Sequence, residues 1–347
     1  MKMSVSNFRN ELKTALLGLA WRQWTLLGVS GQGQAQGRYI LDPEALLIFT
    51  AYIGRHDQRL FDEVLDWLCI NQRFINIQRL RSLSKKTEFE HQAVLGMMAA
   101  YLTGKDASLK WKKLARDWQP GHVEEAQALF RLSNGNPMPV TGVVDPVAQS
   151  YSFKRNIWRR TGNSRVFPPQ DIASLLLQLR GLFGVNARSE AMTGLLTRDA
   201  STIQDIAALS GFSWRSIQDV LVEMAHSNRV TRTKIRDGRG YYYSLTKPRQ
   251  EEELLLPGHP SPWIFPDWPD FYRGCILILE SVSSPQADAL SPLALDSVFQ
   301  EVFEKKIQSS FLDSGVSFRL DDSATDTDLI SLRPDTIQQL PRLLAGV

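Results

Sequence analysis

Four cationic side chains, Arg232, Lys234, Arg236 and Arg239, fall within eight residues of one another. A little upstream, Arg215, Ser216 and Gln218 follow Trp214. Guanidinium and ammonium groups hold phosphate oxygens, and Arg, Ser and Gln side chains hydrogen-bond to base edges. These residue types suit the gripping of a polyanion rather than the breaking of bonds. Reactive constellations are harder to find. None of the five histidines (His56, His91, His122, His226 and His259) has a His or Cys partner at the close spacing a zinc site favours. Asp321, Asp322, Asp326 and Asp328 lack the order and the closing Glu of a calcium loop. Gly28, Gly31, Gly33 and Gly37 have the composition of a phosphate cradle, but no βαβ alternation follows them, so a loop between helices is expected. No catalytic residue, cofactor or metal is predicted.

The elements that must position the polar residues are legible between Ser201 and Thr246. A helix starts at Ser201 or Thr202 and turns Ile203, Ile206 and Ala207 to one side. Gly211 supplies a left-handed turn position without a Cβ clash. Ser213 caps a second helix, whose Ile217, Val220, Leu221 and Met224 repeat at helical spacing and face inward. Trp214, Arg215, Ser216, Gln218 and Asp219 are left on other faces. Asn228, tolerant of the left-handed region, stands where this helix should end. Asp237-Gly238, between Val230–Ile235 and Tyr241–Leu245, signals a hairpin. Alternation along the strand puts Arg232 and Lys234 on a common face, with Arg236 and Arg239 at the tip.

Helix, glycine turn, helix and basic hairpin in this order resemble the winged helix-turn-helix domains of bacterial regulators, broadly of the MarR and ArsR type, over residues 169–248. The resemblance implies that the helix from Ser213 lies in a major groove while the hairpin tracks phosphate or the minor groove. Asp219 and Glu223 put negative charge on or near that helix. Trp214 either meets thymine methyls and sugar or covers the junction with the preceding helix.

The 347-residue chain carries a net charge of only +3, and its two cysteines, Cys69 and Cys275, lie in apolar surroundings. Both read as reduced core residues, consistent with cytosol. No apolar run approaches the ~20 residues of a membrane span, and the short Ala15–Ala20 segment falls below signal-peptide length. Charge is spread unevenly. Residues 1–150 hold 18 Lys and Arg against 14 Asp and Glu, residues 151–250 hold 16 against 7, and residues 251–347 hold 6 against 16. The basic excess therefore sits on the stretch that carries the polar helix and hairpin.

The fold expected is mainly α. It comprises a helical N-terminal domain (1–132), a linker with a basic run (133–168), the central winged unit (169–248), and a Pro/Trp strap leading to a small acidic helical domain (249–347). Phe8, Leu12, Ala15, Leu16 and Leu19 trace one helix face, and Asp42-Pro43 starts a buried helix. Arg73–Asn76 reads as a short strand inside a degenerate helix-turn-helix over residues 57–102. Arg73, Arg79, Arg81, Lys85 and Lys86 would be its phosphate contacts or, more plainly, a solvated basic face. Trp111, Leu114, Ala115 and Trp118 fit one packed helix face. The run Lys154, Arg155, Arg159, Arg160 and Arg165 either lengthens a nucleic-acid footprint or serves only as linker. Five prolines make residues 251–269 an extended strap. Helices are expected over 293–307 and 336–344.

These readings point to a cytoplasmic, sequence-specific regulator of transcription that binds double-stranded DNA, a homodimer acting as repressor or autoregulator. Trp214, Arg215, Ser216 and Gln218 would face bases, while Arg232, Lys234, Arg236 and Arg239 would hold phosphates. The alternative is a winged-helix adaptor in a multiprotein assembly, docking a protein partner through the C-terminal domain. Neither membrane association nor enzymatic activity is expected.

Overall fold

The computed structural model describes residues 4–31, 37–87, 91–103, 109–121, 125–236, 239–259 and 262–283, scattered positions between 287 and 318, and residues 334–347. Gly33, His122, the Asp237-Gly238 turn, the four aspartates between 321 and 328 and most of 293–307 lie outside the described residues.

Helix α1 (Val5–Leu26) starts where the Ser4 hydroxyl accepts from the Asn7 N–H. Phe8, Leu12, Leu16 and Leu19 are fully buried, as their spacing predicts. Helix α2 (Pro43–Ile53) begins at Asp42, whose carboxylate accepts from the Glu44 and Ala45 N–H groups. Pro43 belongs there, since the first turn has no use for its missing N–H. Helices α3 (Gln58–Asn71), α4 (Ile77–Lys86), α5 (Gln92–Tyr101) and α6 (Leu109–Asp117) complete the N-terminal array. Two tryptophans fasten it. Trp24 Nε1 donates to Thr50 Oγ1 at 2.8 Å, and Trp67 Nε1 donates to the Leu27 carbonyl at 2.6 Å. Each indole buries a large apolar face while its N–H stays satisfied. Trp111, Leu114 and Ala115 are core residues of α6.

Arg73–Asn76 is not a strand. Residues 72–74 form a 3-10 turn, and Asn76 is already the cap of α4, accepting from the Arg79 N–H at 3.0 Å. The interval is too short for a ladder. Beyond α6, β1 (Gln127–Ala128) pairs in parallel with β2 (Phe153–Lys154), and α7 (Pro146–Gln149) lies between them. The linker is laid against α3: Asp66 accepts from the Gly162 and Ser164 N–H groups at 3.0 and 3.1 Å. Asn71 meanwhile donates to the Arg165 carbonyl at 2.9 Å.

Next come α8 (Leu175–Phe183), α9 (Ala187–Leu196), α10 (Ile203–Ser210), α11 (Trp214–His226), the strands β3 (Val230–Lys234) and β4 (Tyr241–Leu245), and α12 (Pro248–Leu255). They enclose a second apolar cluster that includes Leu176, Leu179, Ala191, Ile206, Ile217 and Leu221. The start of the expected strap is thus a helix. Pro248 occupies the first position of α12, where its missing N–H is no loss. The remainder, residues 262–267, is non-helical and buries Trp263 in the second cluster.

Helix α13 (Trp268–Ser281) does not belong to a separate C-terminal core. Phe271, Tyr272, Cys275 and Ile278 sit in the same cluster as α1 and α2. Tyr272 stacks on Phe49 at 4.5 Å and donates to Gln23 Oε1 at 2.6 Å. The short helices α14 (Gln308–Leu312) and α15 (Leu340–Leu343) extend that cluster, α15 against α1. The chain is mainly helical, with the β3–β4 hairpin as its antiparallel sheet among the described residues.

Candidate nucleic-acid interface

Local chemistry builds the turn between α10 and α11. Thr202 caps α10 in a reciprocal box: its hydroxyl accepts from the Asp205 N–H, while Asp205 Oδ2 accepts from the Thr202 N–H at 2.8 Å. Gly211 ends the helix at φ 70°, in the left-handed region where a Cβ is costly. Ser213 caps α11 by accepting from the Ser216 N–H at 3.2 Å. Ile217 and Leu221 are fully buried, which contributes about 1.5–3 kcal/mol each. Asn228, at φ 58°, turns the chain out of α11 toward β3.

The opposite face of α11 carries two rows at four-residue spacing. One runs Trp214, Gln218, Val222, His226, and the other Arg215, Asp219, Glu223; together they line a shallow hollow. Trp214 is 46% exposed, and the junction with α10 is packed by Phe212 instead. Arg215 is exposed, whereas Ser216 and Gln218 are half-buried. The Ser216 hydroxyl already shares a hydrogen bond of 2.8 Å with Ser213. Positive character gathers at the first turn, where Arg215 adds to the unpaired N–H groups and the dipole of the helix. The acids stand further along, and Glu223 is matched by Arg188 of α9 at 2.6 Å.

Beside α11 the hairpin pairs Val230 with Leu245, Arg232 with Tyr243 and Lys234 with Tyr241. Val230, Tyr243 and Leu245 are buried, so the same strand face runs from the core outward to Arg232 and Lys234, which are exposed. The Arg232 guanidinium stacks 3.5 Å over the Tyr241 ring, which fixes its position while its N–H edge stays open. Arg236 and Arg239 are exposed on either side of the tip. Ser201 joins the sheet, exchanging N–H to carbonyl bonds of 2.9 and 2.8 Å with Tyr243. That bridge ties the start of α10 to the hairpin.

A buried ionic network holds this region against the N-terminal helices. Arg180 of α8 donates to Glu44 of α2 at 2.7 and 2.9 Å, to Glu190 of α9 at 3.0 and 2.7 Å, and to the Phe74 carbonyl at 2.9 Å. Arg79 of α4 donates to Asp42 at 2.6 Å and to the Leu209 carbonyl, near the end of α10, at 3.2 Å. Burial works to lower the pKa of both guanidiniums, and the carboxylates around them outweigh it and push it up. Burial pushes the Glu190 carboxyl up, against the pull of Arg180 and Arg79.

Several charges read from sequence as surface are therefore structural. Arg79 is no phosphate contact; it is 4% exposed and saturated by acids. Arg155, in the basic run, is buried and reaches Asp62 at 2.6 Å. Arg81 pairs with Asp117 at 2.8 Å. Part of the central basic excess is thus neutralised by acids more than ninety residues away. Asp42 and Glu44 carried a sequence signal, but it read only as a helix start. Nothing local marked them as partners of Arg79 and Arg180.

Among the described residues no group of three or more His, Cys, Asp and Glu is placed to hold a metal ion. None of the described helices is long and apolar enough to cross a membrane. Compared with models of protein families, with curated proteins and with solved structures, the chain finds no match.

Proposed function

We propose that this chain is a winged helix-turn-helix regulator that binds double-stranded DNA. One juxtaposition carries the reading: the exposed, Arg215-bearing first turn of α11 and a hairpin with four exposed cations are mounted on one core. In the proposed complex the first turn of α11 enters the major groove. Arg215 and Gln218 face base edges there, with Trp214 against sugar or thymine methyls and Ser216 tied to its cap. Arg232, Lys234, Arg236 and Arg239 hold phosphates and set register. A homodimer would present two such units to half-sites about one helical turn apart, and repression follows where that site overlaps a promoter.

The test is a mobility shift against genomic fragments over a salt series, with Arg215→Ala and Arg236→Ala/Arg239→Ala alongside the parent. Loss of base preference in the first variant and uniform weakening in the second are the expected results. A parent that forms no complex at low salt sinks the proposal. A second reading, an adaptor docking a protein on α11, is favoured by Val222, Asp219 and Glu223 on the same outer face. It predicts no DNA complex, and loss of partner capture on Trp214→Ala.

A further inference from the structure

A large cavity shares no lining residue with α11. It measures about 1060 Å³, above the few hundred that a small-molecule site needs. Its walls come from α1, the end of α2, α13 and the turn at residues 133–136. That turn opens the segment expected from the sequence to be a linker. Here it folds back as a tight loop, with Leu132 N–H on the Asn136 carbonyl and Gly135 at φ 85°, and forms the cavity's lip.

Five basic side chains converge on this space from three separate parts of the chain: Arg9 and Lys13, Arg55 and His56, and Arg131. Lys13 lies in the field of Arg9 and Arg131, and His56 in that of Lys13, Arg131 and Arg55. Among the described lining residues Glu280 is the acid, so one carboxylate faces Arg9, Lys13, Arg55 and Arg131. Lys13 and Arg131 therefore add positive charge beyond what Glu280 balances, and an anion in the hollow would offset it. His56 Nδ1, moreover, is buried with no hydrogen-bond partner among the described residues.

We propose that this cavity binds a small phosphate-bearing molecule, its phosphate held by Lys13 and Arg131 beside His56. Guanidinium and ammonium groups supply charge-assisted bonds to phosphate oxygens, and an anion held beside the His56 ring favours its protonated form. Burial, with the Lys13, Arg131 and Arg55 charges, holds His56 at about 4, and burial with Arg9 and Arg131 holds Lys13 below its ordinary value. An arriving dianion reverses both effects. Binding therefore takes up protons and strengthens as pH falls toward mild acidity. The site is independent of the DNA-binding proposal and would serve as an effector site if that proposal holds.

Inorganic pyrophosphate titrated into the full-length chain by calorimetry tests this, in two buffers of different ionisation enthalpy. Saturable binding with net proton uptake is expected. Lys13→Ala/Arg131→Ala should weaken it by roughly tenfold or more, whereas Arg236→Ala/Arg239→Ala should leave it unchanged. Should the double variant at 13 and 131 fail to fold, Arg131→Gln alone serves, since Arg131 is exposed. Absence of binding, equal affinity for malonate, or loss only in the hairpin variant would each overturn the assignment.

Discussion

Arginines in two regions of this molecule do opposite work. On the hairpin, Arg232, Arg236 and Arg239 are exposed, held out on strands or beside the turn. Beneath α9 and α10, Arg79 and Arg180 are buried among Asp42, Glu44 and Glu190. The side chain is the same and the surroundings decide its use. A guanidinium on a strand that outruns its core keeps its N–H edge in solvent and remains available to a partner. One on a helix face turned toward buried carboxylates becomes a fastener, and its removal strands the acids.

The sharpest way to break this contrast is Arg180→Ala. It leaves Glu44 and Glu190 buried without their main partner and should cost about 3–5 kcal/mol in urea unfolding. A change under ~1 kcal/mol would mean the network is ornamental. Acid offers a second probe, because a third kind of basic group, His56, is half-buried and uncharged. Its folded pKa is depressed to about 4 from 6.5, so the unfolded chain takes the proton first. Stability should be fully present above about pH 6.5 and fall as pH drops from there to about 4, by on the order of 3 kcal/mol. His56→Gln should flatten that part of the pH profile.

Arg236→Ala/Arg239→Ala belongs to the other side of the comparison. Stability should move by under about 0.5 kcal/mol, while the slope of log affinity for DNA against log salt shrinks by about 1.8. Gly211→Ala tests the turn itself: at φ 70° the added methyl should cost about 1 kcal/mol in unfolding. The smallest effect is expected at the exposed pair Arg188–Glu223, where Arg188→Ala should register below ~0.5 kcal/mol.

Legibility in the sequence followed the range of the signal. Caps at Thr202 and Ser213, the glycine at 211 and Asn228 act within a turn or two, so residue order alone located α10, α11 and the hairpin. The partners of Arg180 and Arg155 lie 136 and 93 positions away, and no periodicity connects such pairs. Charge totals by segment misled for the same reason, since they assign a salt bridge's two halves to different regions. Pro248 follows the end of β4 and starts α12, and residue order alone does not tell the start of a helix from the start of an extended strap. The membership of α13 in the N-terminal core was hidden likewise, because an apolar run such as Cys275–Leu279 names no partner.

The bond from Arg79 to the Leu209 carbonyl bears on how this region could be handled. Cut out as residues 169–248, it would lose the guanidinium beneath α10 and would keep Arg180 and Glu190 without Glu44. Such an excised piece is not a portable module. Grafted onto another protein it should melt early or settle into a different tilt, even with every hairpin arginine intact.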